Sequence, residues 1–243
     1  MEKSKLFITT YMVDAGKRLR PSTFMELTQE IATVDARNLA FDDPRLIAAH
    51  NAVWVIAREK IVFHKMPQRY DTVELSTWHK GLDSIFFLRD YSMKSEDGES
   101  LIDATSSWVI MDLSERRALR PSAVTDIIPA EAQIEGHAIE APSSKVVIPK
   151  TLALSQAGEH IVRYSDVDPN WHANNTRYIS WAMDCLPQEL TFEKSLREFE
   201  INFNREARPG EKVDLLMASD GDVYYVEGLA PDGLQVFICK LTF

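Results

Sequence analysis

The chain has 243 residues, enough for one large domain or two small ones. With 45% hydrophobic residues it can bury sizeable cores. Its formal net charge of −10, from 27 Lys and Arg against 37 Asp and Glu, argues against a general nucleic-acid binder.

KLFITTYMV (Lys5–Val13) is a short β-prone run. A helix signal follows, with Pro21 at its entry and Thr23 with Glu26 as a capping-box pair. Phe24, Leu27, Ile31 and Val34 then recur at helical spacing on one face, and Asn38 lies near the end. After that the period changes to two. Ala52–His64, Asp71–His79, Ser84–Met93 and Leu101–Asp112 all read as strands, and the Asp-Gly inside Glu96–Glu99 marks a tight hairpin turn. Residues 114–157 are read as a linker, punctuated by Pro121, Pro129, Pro142 and Pro149 with weak periodicity.

Beyond the linker the same order begins again. Glu159–Ser165 is strand-like. Tyr178, Trp181, Ala182 and Cys185 share a helical face. Arg197–Glu206, Lys212–Ser219, Asp222–Leu229 and Leu234–Phe243 supply strands, separated by SDGD and PDG turns. A long-period repeat accounts for this, although the halves share few identical residues. Overlaid on their helices, Asp14 falls on Asp168, Gly16 on Asn170, Arg18 on His172 and Phe24 on Tyr178. A helix followed by about four antiparallel strands packs economically when the sheet curls around the helix. The expected fold is therefore α+β, a tandem double hotdog in which each half is a long helix wrapped by an antiparallel β-sheet. The first hotdog takes residues 1–113 and the second 158–243, with the sheets joined edge to edge.

Cys185 and Cys239 lie in apolar runs without CxxC or Cys/His spacing, so they read as buried thiols in a reducing compartment. No apolar run reaches the roughly 20 residues of a membrane helix. Met1–Lys5 leads straight into strand-like sequence and not into a signal peptide. A cytoplasmic location follows as the expectation.

Only the second half holds a dense polar set. DVDPNWHANNTRY (Asp166–Tyr178) places Asp168, Asn170 and His172 at alternate positions just before a helix. The first N–H groups of a helix lack internal acceptors, and the helix dipole is positive there. Such an end can hold a carbonyl oxygen gaining charge. Asn174 or Asn175 is a natural N-cap. His172 suits a base, Asn170 can orient water or a carbonyl, and Asp168 can fix the ring or the loop. Asp-Pro and paired Asn are equally what a plain turn uses. No metal is expected, because His172 has no second His or Cys at ligand spacing. Neither Cys sits in a polar setting, Ser165 has no GxSxG context, and no phosphate loop exists.

RYSDVDPNWHANNTRYISW (Arg163–Trp181) resembles the signature of acyl-acyl carrier protein thioesterases of plant plastids and bacteria. That signature runs Ser-Asp-x-Asp-x-Asn-x-His-x-Asn-Asn-x-x-Tyr-x-x-Trp, and every fixed position is matched. Lys65–Trp78, Leu88–Tyr91 and Ala104–Pro121 are similar to further runs of the family. The resemblance implies hydrolysis of a fatty acyl thioester on acyl carrier protein, whose phosphopantetheine arm carries the acyl chain. No cofactor is implied. It makes Asp168, Asn170 and His172 the catalytic set and puts Glu206 at the family's next-strand Glu. Ala207 stands where many plant members have Cys, which favours attack by water.

The expected substrate contacts are Asn174, Asn175 and Tyr178 near the thioester. The acyl tail is expected along Phe24, Leu27 and Ile31, with Trp54, Trp78, Phe86 and Trp108 as further candidates. KRLR (Lys17–Arg20) and ERR (Glu115–Arg117) are candidate contacts for an acidic carrier. The rival readings are an acyl-coenzyme A thioesterase, a non-catalytic acyl-binding hotdog protein and a hotdog hydratase. Monomer and homodimer both remain open.

Overall fold

The computed structural model describes residues 1–124 and 133–243. The chain opens with β1 (Glu2–Phe7), which leads through a short turn to α1 (Pro21–Asn38). Pro21 is the first helical residue, with Arg20 in extended geometry before it. Proline suits that position because its fixed φ is helical and its missing N–H would be unpaired anyway. The expected Thr23–Glu26 capping box does not form. Thr23 already lies inside the first turn and is buried.

The buried face of α1 is Phe24, Met25, Thr28, Ile31, Ala32 and Asp35. Leu27 is partly buried against the core, and Val34, expected on this face, is exposed. A second helix, α2 (Asp43–His50), follows and was not anticipated. It is short and buries one residue, Leu46. Asp42 precedes it and Asn51 ends it in the left-handed region at φ 51°.

Four strands follow: β2 (Ala52–Phe63), β3 (Thr72–Asp83), β4 (Phe86–Ser95) and β5 (Ser100–Asp112). The second half contributes β6 (Ser155–Ile161), α3 (Asn175–Asp184), α4 (Gln188–Glu193), β7 (Glu198–Phe203), β8 (Lys212–Asp220), β9 (Val223–Leu229) and β10 (Gln235–Thr242). The strand expected at Glu159–Ser165 therefore starts earlier, and Tyr164–Asp166 is a single 3-10 turn. The helix of this half is shorter than expected. Pro187 cannot continue a helix, so the apolar stretch divides into α3 and α4.

Among the described residues, ten strands form one antiparallel sheet in the order β1-β3-β4-β5-β2-β7-β10-β9-β8-β6. The halves meet where β2 pairs with β7, from Arg58 opposite Asn202 to Val62 opposite Glu198. Helix α1 packs on β1, β3 and α3, and α3 packs on β10. Each half is thus a hotdog, and a shared core runs between them through Phe24, Phe63, Tyr178, Phe199 and Phe237.

The connection between halves is anchored on the sheet by polar groups. Trp78 Nε1 donates to the Gly136 carbonyl at 3.0 Å. Lys80 and Asp90, both buried, form an ion pair at 3.1 Å, and the Ala138 N–H donates to Asp90 at 2.8 Å. Residues 125–132 of the expected linker, including Pro129, lie outside the described residues.

The overlay of the halves holds in backbone detail. The Asp14 N–H donates to the Arg18 carbonyl at 2.8 Å, and the Asp168 N–H to the His172 carbonyl at 2.9 Å. Lys17 (φ 65°) and Trp171 (φ 64°) occupy the same left-handed position. One-residue bridges join Val13 to Leu19 and Val167 to Ala173. The two loops share a frame and differ in what they carry. In the first, Arg18 pairs with Asp14 at 2.9 Å and donates to the carbonyls of Thr191, Phe192 and Lys194. That loop is a brace.

Candidate active site

The loop Asp168–His172 turns back on itself through a polar side chain. Asp168 Oδ1 accepts the Asn170 N–H at 2.8 Å and approaches the His172 N–H at 3.5 Å. Asp and Asn favour turns for this reason: their oxygens bond the backbone two residues on. Trp171 at φ 64° completes the reversal and stands exposed. Asn170 and His172, on either side of it, both line the cavity below. Of the two roles open to Asp168, the structure shows the loop-forming one.

The loop is then tied to the next strand's exit. The Ala173 N–H donates to the Ala207 carbonyl at 2.8 Å, and the Asn174 N–H to the Asp166 carbonyl at 2.7 Å. Asn174 caps α3 with its side chain, accepting the Thr176 N–H at 2.9 Å. Tyr178 is buried among Trp181, Phe203 and Phe237 and is hydrogen-bonded by the Ala207 backbone. Burial pushes its phenol far up, so it stays neutral. Ala207 is held from two directions, which fixes Glu206 beside it.

Glu206 points at His172. His172 Nε2 and Glu206 Oε2 are 3.2 Å apart. Arg116, from the chain just after β5, reaches both Glu206 oxygens with one guanidinium nitrogen at 3.2 Å each. Arg116 sits at φ 53°, a left-handed position that aims the side chain across the half boundary.

Asp168, Asn170, His172 and Glu206 together line a cavity of about 1120 Å³. The cavity continues into the first half past Trp54, Phe87 and Trp108. That volume is large for a small-molecule pocket, and its wall combines a predominantly apolar surface with many polar side chains. Cys185 and Cys239 are free, and burial raises both thiols, Cys185 to about 11. Neither lines the cavity.

Residues 2–130 match the family model of the acyl-ACP thioesterase N-terminal domain, and residues 150–230 that of the C-terminal domain. The chain belongs to the acyl-ACP thioesterase family. Relatives include oleoyl-acyl carrier protein thioesterases 1 and 2, chloroplastic, of Arabidopsis thaliana, 29% and 30% identical over 96% and 90% of this chain. The chain spans 68% and 63% of their lengths. An acyl-ACP thioesterase from Bacteroides thetaiotaomicron superposes with a TM-score of 0.87 at 25% identity, covering 99% of this chain and 96% of that one. The 12:0-ACP thioesterase from Umbellularia californica has the same fold, with a TM-score of 0.85 at 22% identity over 99% and 95% of the two chains.

In this member of the thioesterase family, the cavity gathers some of the residues expected at the site and leaves others elsewhere. Asp168, Asn170, His172, Glu206, Asn175 and Tyr178 all line the cavity. Asn174 does not, because its side chain is spent on capping α3. Phe24, Leu27 and Ile31 do not line it either. They pack in the shared core, while Thr28 and two further core members of the same helix, Met25 and Ala32, also reach the cavity. Trp54 and Trp108 are lining residues, whereas His79 and Phe87 take the places expected of Trp78 and Phe86. Of the charged runs, Arg18 is consumed by its brace and Arg20 by the Tyr11 carbonyl.

Arg116, expected as part of a candidate carrier contact, also meets Glu206, and no local pattern links the two. Glu59 was overlooked although it alternates in phase with the buried Ile61 and Phe63, which is an available signal.

Proposed function

We propose that this chain hydrolyses the thioester of fatty acyl-acyl carrier protein, releasing free fatty acid and holo-carrier, with water as nucleophile and Glu206 and His172 as one acid-base pair. The observation that carries this reading is the 3.2 Å contact between His172 and Glu206 in the wall of a large cavity shared by both halves. Water between the pair and the thioester loses its proton to them as its oxygen attacks the acyl carbon. The carbon–sulfur bond then breaks, and the pair returns the proton to the departing phosphopantetheine thiolate. A well-placed group of this kind contributes about 10²–10⁴-fold.

The developing oxyanion is met by Asn170 and by the Asn175 N–H. Asn170 is exposed at the cavity. Asn175 begins α3, and among the described residues its N–H meets no acceptor. Asp168 shapes the loop that holds Asn170 and His172. Arg116 keeps Glu206 in place and, with the exposed Arg208, puts positive charge at the cavity mouth for the anionic arm and its acidic carrier. A single chain holds the complete set, so a monomer suffices for the chemistry. The unpaired thiols fit the reducing cytoplasm.

The deciding assay compares one acyl group on carrier protein and on coenzyme A, reading free acid. Preference for the carrier-linked substrate, weakened by salt, supports the reading. Preference for coenzyme A favours the rival hydrolase, and bound lipid without product favours a binding module.

A further inference from the structure

We propose that Glu59 is a specificity-determining residue, selecting acyl chains that carry a hydroxyl group within the chain. The inference rests on the cavity being the acyl slot of a thioester hydrolase.

Glu59 lies on β2, opposite Ile201 of β7 and Ser106 of β5, at the junction of the two half-sheets. It is 3% exposed and lines the cavity. Among the described residues, no hydrogen bond or ion pair meets its carboxyl. Arg89, Tyr91 and Trp108 on the same cavity wall are satisfied by protein. Arg89 pairs with Asp35 at 2.7 Å and donates to Thr77 at 3.1 Å. Tyr91 and Trp108 both reach Ser106 Oγ, at 3.3 and 2.7 Å. Glu59 is left with its bonding capacity facing the cavity.

A buried polar group without a partner is costly, and such groups normally find one. A saturated hydrocarbon passing over Glu59 offers nothing. A chain hydroxyl offers both a donor and an acceptor. Burial raises Glu59 to about 8, so near neutral pH the carboxyl is protonated and also has both. An oxo group could only accept, which makes hydroxyl the better match. Sites built to bond a substrate hydroxyl discriminate strongly against the analogue that lacks it.

The test uses the full chain with carrier-linked acyl groups of one length: unsubstituted, oxo-substituted, and hydroxylated at graded positions. The expected result is a kcat/KM about tenfold or more higher for at least one hydroxylated chain than for the unsubstituted one. Glu59→Met should remove that preference and Glu59→Gln, which keeps donor and acceptor, should preserve most of it. An unsubstituted chain turned over as well as every hydroxylated one overturns the inference with no variant needed, as does an unchanged ratio in Glu59→Met. Absence of hydrolysis of every substrate would instead overturn the proposed function. Thermal shifts with hydroxylated and plain free fatty acids then still decide the matter: equal shifts sink the role of Glu59, and a larger shift with the hydroxylated acid supports it.

Discussion

His172 Nε2 stands 3.2 Å from Glu206 Oε2, although one residue precedes α3 and the other follows β7. The contact exists because Ala173 and Ala207, their chain neighbours, are bonded backbone to backbone at 2.8 Å. Both side chains are partly exposed to the cavity, so replacing either leaves the packing intact. His172→Ala and Glu206→Gln should each reduce turnover by about 10²–10⁴-fold while circular dichroism and Tm stay near wild type. The double variant should lose little more than the worse single one, since groups acting as a unit are not additive. Near wild-type turnover in both single variants would refute the pair.

Arg116 should act through Glu206. Its guanidinium contacts both carboxylate oxygens from one nitrogen. Arg116→Ala frees Glu206 to leave His172, so kcat should fall about tenfold or more with a smaller change in KM. Arg116→Lys keeps the charge without the fixed planar group and should fall between the two. Steady-state kinetics on carrier-linked substrate decides this, and an effect confined to KM would make Arg116 a docking residue instead.

Glu59 should make stability pH-dependent. Its folded-state value is raised to about 8 by burial, against an ordinary value of 4.5. Between these values the folded chain holds a proton that the unfolded chain releases. Stability should therefore be greatest at the low end of the window and decline as pH rises toward 8. His79, lowered to about 4 by burial first and then by Arg89, acts in the opposite sense between 4 and its ordinary 6.5. Above about pH 6.5 only Glu59 of the two contributes. The Tm advantage of Glu59→Gln over wild type should thus grow from about pH 6.5 to about pH 8, and a constant difference would contradict the buried, protonated carboxyl.

Gly228 on β9 should tolerate no side chain. A Cβ there would run into the Phe237 ring and lie 2.8 Å from Val213 Cγ1, and both neighbours are fully buried. Gly228→Ala should cost about 1–3 kcal/mol, read as a Tm drop of about 2–4 °C for each kcal/mol in a chain of this size. Gly158→Ala on β6, where a Cβ meets nothing within 4 Å, is the matched control and should change Tm little.

The repeat, the order helix-then-strands and the polar loop were all legible in the sequence, because each rests on neighbours in the chain. Alternation exposes a strand, and Asp168 makes its turn with residues two to four positions away. Even the frame shared by Asp14–Arg18 and Asp168–His172 could be found by overlay. Short α2 escaped because eight residues with one buried side chain give almost no period. The break between α3 and α4 was written at Pro187 and went unread.

What only the tertiary structure decided concerns which surface meets which. Periodicity marked α1 as apolar but could not say that Met25, Thr28 and Ala32 reach the cavity while Phe24, Leu27 and Ile31 do not. Two apolar faces of one helix look alike until their neighbours are in place. Arg116 meets Glu206, and Glu59 meets an open cavity, through β-sheet pairing between distant strands. Such pairing brings together residues that share no local signal, so the chemistry of the loop was written in the chain and its surroundings were set by folding.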